Sequence, residues 1–244
     1  MKVLEQDENW IHYLAEKNLS KEQVLLKEFF PQAYCMRTAN NRLFSINNNS
    51  NRFNQVKKEL VNRAIVFSRI KHPNTLNPSS VFEENNSVYF VLESLEFQSI
   101  DDFLKTKPTL SVKNSLEFIL QIGSALEYLH DHGLIHLNVN PKNIYISKNG
   151  ITKLWLMGDQ SIPEYMALEQ SNGSKAPSYA TDIYGLGACF YFLVNGQNPP
   201  VPAQDPVTYI LHKKSSHSKI PASIPPIISK AMAIQIEDLS LIHI

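Results

Sequence analysis

The hydrophobic period changes once along this chain, from short apolar runs of β-forming residues to apolar residues recurring every three or four positions. Val24, Leu25, Leu26, Phe29 and Phe30, and later Val88, Tyr89, Phe90, Val91 and Leu92, form two such runs bounded by Asn and Ser clusters, and both are predicted strands. Between them Val56, Leu60, Ala64, Phe67 and Ile70 keep a helical spacing over residues 53–70 that stops ahead of His72-Pro73. From Ser111, residues Leu116, Ile119, Leu120, Gly123, Leu126 and Leu129 recur at three and four, and Gly133 ends the run. That pattern predicts an amphipathic helix of about five turns. A further helix is predicted from Asp182 through Ile183, Leu186, Cys189, Phe190 and Leu193 to Gly196, ahead of Pro199-Pro200. Strands followed by helices imply an α+β fold in two lobes: residues 1–94, β-rich with one long helix, and residues 95–238, mainly helical, with a hinge at residues 93–98. The Asn-rich residues 46–54 are expected to form a surface loop.

At 244 residues and 43% hydrophobic content, such a chain buries roughly 70 to 75% of its extended surface. The 23 basic and 23 acidic residues cancel and are scattered, which argues against a nucleic-acid partner or an anionic membrane surface and favours a protein or small molecule. Cys35 and Cys189 lie far apart, outside any metal-ligand spacing, and are expected to be buried small hydrophobes in a reducing compartment. The start has no apolar leader and no stretch reaches membrane-span length, so no membrane span and a cytoplasmic location are expected. All eight glycines lie at or after Gly123. A glycine loop that cradles phosphate is therefore excluded from the N-terminal half.

The segment Ile135-His136-Leu137-Asn138-Val139-Asn140-Pro141-Lys142-Asn143-Ile144 resembles the catalytic loop of protein kinases, a His-Arg-Asp followed at short distance by Asn. Met166-Ala167-Leu168-Glu169-Gln170 is similar to the family's Ala-Pro-Glu segment, and Asp182-Ile183-Tyr184-Gly185-Leu186-Gly187 to its large-lobe anchor helix. Val24-Leu25-Leu26-Lys27-Glu28-Phe29-Phe30 resembles the strand carrying the ATP-contacting lysine, in wording close to bacterial serine/threonine kinases. The landmarks come in family order over nearly the whole chain, so the resemblance implies a two-lobed kinase-like fold.

The resemblance also implies where phosphoryl transfer is undone, because that chemistry rests on positioning and on metal-borne charge neutralisation. The three glycine-loop positions fall near Glu5, Asp7 and Trp10, where two carboxylates repel phosphate and an indole fills its space. Lys27 is kept, but the helix position that should pair with it holds Arg63, with Glu59 one turn earlier as a substitute. Asn138 replaces the proton-accepting aspartate, and an amide is no general base near neutral pH. Leu137 replaces the arginine and Asn140 the lysine of the loop, while Asn143, a metal ligand in the family, remains and is expected to order its own loop. The Asp-Phe-Gly metal site reads Leu156-Met157-Gly158, and leucine offers magnesium no oxygen. Asp159 is expected to be a solvated turn residue. Leu25 and Tyr145 add bulk where adenine would lie, and residues 156–169 make a short activation segment. Nucleotide contacts, if any, would come from Lys27, Glu93, Leu95 and Asn143, whereas Glu169 and Asp182 are structural.

The expectation is therefore a pseudokinase, a signalling module that binds a protein partner and needs neither ATP nor magnesium. The alternative is an active serine/threonine kinase that transfers the ATP γ-phosphate with magnesium, using Lys27, Asn143 and unconventional metal ligands. A decaying gene without selected function is a third reading, and would show as a collapsed fold on expression. Residues 239–244 read as the translation of a transposon-end sequencing adapter where the resemblance implies an arginine-bearing helix. They are expected to be a non-native tail, with the natural chain continuing past Asp238 and the second lobe incomplete.

Overall fold

Alternation along Trp10-Ile11-His12-Tyr13-Leu14 is the period-2 pattern of a strand with two covered faces, and the computed structural model places it near the centre of a sheet. The structure describes residues 1–46, 49–93, 96–106, 110–158, 161–173, 175–202 and 220–233. In chain order its elements are β1 (Lys2–Gln6), β2 (Trp10–Glu16), β3 (Gln23–Phe29), β4 (Cys35–Arg37), β5 (Leu43–Ser45), α1 (Ser50–Phe67), β6 (Thr75–Leu76), β7 (Ser80–Glu84), β8 (Ser87–Leu92) and β9 (Phe97–Ser99). There follow α2 (Ile100–Thr106), α3 (Val112–Asp131), β10 (Ile144–Ser147), β11 (Thr152–Trp155), a 3-10 turn at Pro163–Tyr165, α4 (Leu168–Asn172), α5 (Tyr179–Asn195) and α6 (Ile224–Ala231). Mixed α and β elements in a kinase-like order match the α+β architecture expected above. The chain divides into two units, Met1–Lys71 with Asn77–Phe97, and His72–Leu76 with Gln98–Ile244.

The first unit is built on an antiparallel sheet of order β1-β2-β3-β8-β7. Both predicted strands are in it, as β3 and β8; β1 and β2 were not anticipated. Asn85 and Asn86 both take positive φ, 51° and 61°, in the β7–β8 turn, the left-handed pair a tight hairpin demands and asparagine tolerates. Register puts Trp10, Lys27, Phe29 and Phe90 on one face, where Trp10 packs edge-on against Phe29 at 5.4 Å and Phe53 of α1 stacks on Phe29 at 6.3 Å. The opposite face carries Ile11, Tyr13, Leu26 and Tyr89, all buried. Helix α1 ends at Phe67, short of Ile70, and begins at Ser50 inside the Asn-rich stretch expected to be loop. Burial of Phe53 at 1% exposure supplies the apolar contact that carries the helix through those polar residues. Residues 47 and 48 lie outside the described residues.

In the second unit α3 runs as predicted, capped by Ser111, whose side chain accepts from the Asn114 N–H at 3.1 Å. It is closed by Gly133, φ 69°. Helix α5 starts at Tyr179, a turn ahead of Asp182, and ends at left-handed Gly196. Glycine is required within α5: a Cβ on Gly185 would lie 2.8 Å from the Val139 carbonyl, and one on Gly187 2.7 Å from Ala231. Helix and loop backbone therefore approach more closely than any side chain permits. Cys35 and Cys189 are both buried and free. Among the described residues no helix is long and apolar enough to cross a membrane.

Candidate functional site

Residues 135–143 form an irregular loop between α3 and β10, so its polar backbone must find partners outside a helix or sheet. The buried carboxylate of Asp182 supplies them: its Oδ2 accepts from the His136 N–H at 2.8 Å and its Oδ1 from the Leu137 N–H at 2.7 Å, with His130 Nε2 also 2.8 Å from Oδ2. These bonds hold Leu137 at φ 65°, a left-handed conformation that leucine adopts only when its surroundings over-determine it. His136, with no exposed surface, places Nε2 3.0 Å from the Trp155 carbonyl and Nδ1 3.2 Å from the Asn138 N–H. Gln170 ties the loop to α4, donating from Nε2 to the Leu137 carbonyl at 2.8 Å while its Oε1 accepts from the Ala167 N–H at 3.1 Å. Glu169, also buried, accepts from Thr181 Oγ1 at 2.6 Å.

Three asparagines then close on one another. Asn140 Nδ2 donates to Asn138 Oδ1 at 2.7 Å, Asn140 Oδ1 accepts from the Lys142 N–H at 3.0 Å and the Asn143 N–H at 3.2 Å, and Asn143 Nδ2 donates to the Asn138 carbonyl at 2.9 Å. Asn143 also lies so close to Gly158 that any Cβ there would collide with its amide. Leu156 and Met157 have no exposed surface at all. Full burial of a leucine stabilises by about 1.5–3 kcal/mol, so Leu156 serves the core. A divalent cation needs several oxygen donors, carboxylates above all. Asn138 offers a neutral amide oxygen that already accepts from Asn140, Asn143 offers a second neutral amide whose Nδ2 is bonded to the loop, and Leu156 offers nothing. The donor set does not fit magnesium, and among the described residues no cluster of three His, Cys, Asp or Glu side chains could hold a metal ion.

In the first unit, Glu5, Asp7 and Trp10 lie at the β1–β2 hairpin. Asp7 Oδ1 accepts from the N–H groups of Asn9 and Trp10, both at 2.8 Å, so its carboxylate closes the turn. Glu5 Oε2 is 3.5 Å from His12 Nδ1. Trp10 is buried in the core, and Lys27, a residue 5% exposed, places its ammonium 5.4 Å from the Trp10 ring centroid. Arg63 sits over the Phe67 ring at 5.2 Å. Glu59 is exposed and accepts from Gln55 at 2.8 Å. Glu93 accepts from Lys17 at 2.9 Å, and that bond holds its carboxyl below the usual range. Leu95 and Asp159 lie outside the described residues.

One cluster escaped the sequence reading. Glu28, 1% exposed, accepts from Tyr13 Oη at 2.5 Å, Tyr89 Oη at 2.8 Å and Arg37 Nη2 at 2.7 Å. Burial first, and then the Glu28 carboxylate, push the Tyr89 phenol up to about 12 against a lowering contribution from Asn85; Tyr13 is raised further for the same two reasons. The available signal was a carboxylate one residue from Lys27 in an otherwise apolar strand, since a buried charge is costly unless paired.

The family model described as "Protein kinase domain" matches residues 33–236. A "Probable serine/threonine-protein kinase" of Clostridium perfringens is 29% identical over 207 residues, covering 76% of this chain and 30% of that protein. "Serine/threonine-protein kinase PknA" of Mycobacterium tuberculosis is 29% identical over 158 residues, 59% of this chain and 36% of its own length. The chain thus spans about a third of the length of these relatives. Among solved structures, "PpkA-294 apo form" superposes with a TM-score of 0.81 at 20% identity, covering 97% of this chain and 90% of that one. The PknI kinase domain of Mycobacterium tuberculosis gives 0.70 at 20%, covering 98% and 87%.

Proposed function

This chain belongs to the protein kinase domain family, and we propose that within it the chain is a catalytically inactive member, a pseudokinase that works by binding a protein partner. The observation carrying this reading is that neither position responsible for base and metal holds a carboxylate: Asn138 is bonded by Asn140, and Leu156 is wholly buried. An amide cannot take the proton of an attacking hydroxyl, and without metal-borne charge the γ-phosphoryl group in flight is not neutralised. Two further observations support it. The turn where phosphates would be cradled is closed by the Asp7 carboxylate, and Lys27 is buried beside the Trp10 ring. What remains intact is architecture: Asp182 still organises the loop, and Glu169 still joins α4 to α5.

The reading is tested by thermal-shift titration with ATP, with and without magnesium, followed by radiolabel transfer from ATP with Lys27→Ala as control. Ligand that binds the native state must raise its melting point, by about 2.7 kcal/mol of stabilisation at a hundred times the dissociation constant. The expected outcome is no magnesium-dependent shift and incorporation at the level of the control. Magnesium-dependent transfer above that level would mean that other oxygen donors hold the metal, and the inactive reading would fall.

A further inference from the structure

The β1–β2 turn, the end of β3 and the β7–β8 turn lie together at one end of the five-stranded sheet, because Trp10 pairs with Phe29 in register and Tyr89 with Glu28. Residues 30–46 cross that end. Where they leave β3, the Phe30 N–H donates to the Asn9 carbonyl at 2.7 Å, the Gln32 N–H to the Glu8 carbonyl at 2.9 Å, and Gln32 Nε2 to the Asp7 carbonyl at 2.6 Å. Three consecutive carbonyls of the β1–β2 turn are thus held by one crossing segment, while Asp7 Oδ1 takes up the Asn9 and Trp10 N–H groups from within the turn. In mid-course the β4–β5 hairpin buries Cys35 and Leu43 and turns Met36 and Phe44 outward. Arg37 of the same hairpin donates to buried Glu28, which also accepts from Tyr13 of β2 and Tyr89 of β8, and its guanidinium lies 5.1 Å from the Phe30 ring centroid. At the far side the Leu43 N–H donates to the Asn85 carbonyl at 2.8 Å, and Asn86 Nδ2 to the Leu43 carbonyl at 3.0 Å. Breaking one of these ties releases little chain entropy while the others still fix the segment, so the ties open together.

We infer that residues 30–46 are a strap that couples the two turns: the β1–β2 turn opens only with the strap, and whatever displaces the strap from Glu28 or from the β7–β8 turn also frees the β1–β2 turn. This conformational device goes beyond the inactive reading and does not depend on it, since it needs neither nucleotide nor phosphotransfer.

The test is native-state hydrogen exchange on the full chain, read at single amides by NMR in two variants. Gln32→Ala removes the side-chain tie at the β1–β2 end. Asn86→Gly removes the tie to Leu43 at the other end, with a bond from Lys57, and keeps the positive φ of that position without steric cost. In either variant the Asn9, Trp10 and Leu43 amides should exchange faster by a common factor, about fivefold for one hydrogen bond, while the Ala64 amide within α1 keeps its rate. Two independent turns would give a different result: Gln32→Ala would speed only Asn9 and Trp10, and Asn86→Gly only Leu43. That outcome, or no change in either variant, overturns the inference. Equal acceleration at Ala64 also overturns it, because the opening is then unfolding of the whole unit and the strap is no separate element. Phosphotransfer by the unsubstituted chain would remove the inactive reading and leave these exchange outcomes as they stand.

Discussion

Glu28→Gln should be among the most damaging single-atom changes in the first unit. The native carboxylate accepts three hydrogen bonds while 1% exposed, one from the Arg37 guanidinium and two from phenols. A glutamine has one accepting oxygen, and its NH₂ would face a donor. Replacing a charge-assisted bond costs about 1.5–3 kcal/mol, and a buried donor left without acceptor about 1–3 kcal/mol. About 3 kcal/mol is therefore expected, against the 5–15 kcal/mol that stabilises a typical domain, or a fall of roughly 6 to 12 °C in Tm at this size. The chain has two tryptophans, Trp10 in the first unit and Trp155 in the second. In a Trp155→Phe background, urea unfolding followed by fluorescence thus reports the first unit alone. A double-mutant cycle with Arg37→Ala should show a coupling of about 1–3 kcal/mol. A loss under about 0.5 kcal/mol, or strict additivity, would refute the claim that the carboxylate organises this face.

The same cluster predicts alkaline lability. A phenol raised in the folded state stabilises fully below its ordinary value near 10, and that contribution fades as pH rises through about 12 for Tyr89. Stability should therefore fall between those values, and less in Tyr89→Phe, as read by denaturation at stepped pH. Asp182→Asn removes the charge that holds His136 and Leu137; about 3 kcal/mol should be lost, with the Trp155 signal shifting first because His136 bonds its carbonyl. Gly185→Ala places a methyl 2.8 Å from the Val139 carbonyl and should cost about 1–3 kcal/mol, whereas Gly123→Ala, whose nearest neighbour is a Leu186 methyl at 3.7 Å, should be neutral or stabilising by about 1 kcal/mol through helix propensity. A reversed order of these two glycines in thermal unfolding would count against the packing described for α5.

The elements most legible in the sequence were those whose burial is periodic. Helix α3 announced itself through Leu126, Leu129 and the Ser111 and Gly133 boundaries, and β3 and β8 through unbroken β-forming runs, because a face that must leave water imposes its spacing on the chain. Strands β1 and β2 were overlooked: β1 is exposed along its whole length and β2 alternates with His12 and Glu16, so neither forms an apolar run. The start of α1 was hidden by asparagines, since one buried aromatic, Phe53, outweighs local propensity.

Residue identity alone determined which groups the loop carries. A carboxylate missing at Asn138 and Leu156 is missing in any conformation. Where each remaining polar group spends its bonds was decided only by tertiary structure. Asp182 reaches His136 and Leu137 across more than forty residues of sequence, Gln170 reaches the Leu137 carbonyl, and Glu28 gathers two tyrosines and an arginine from three other strands. Hydrogen bonds are short-ranged and directional, so their partners depend on which strands and helices the core brings together. That information is in the packing of the whole chain and not in any local window of it.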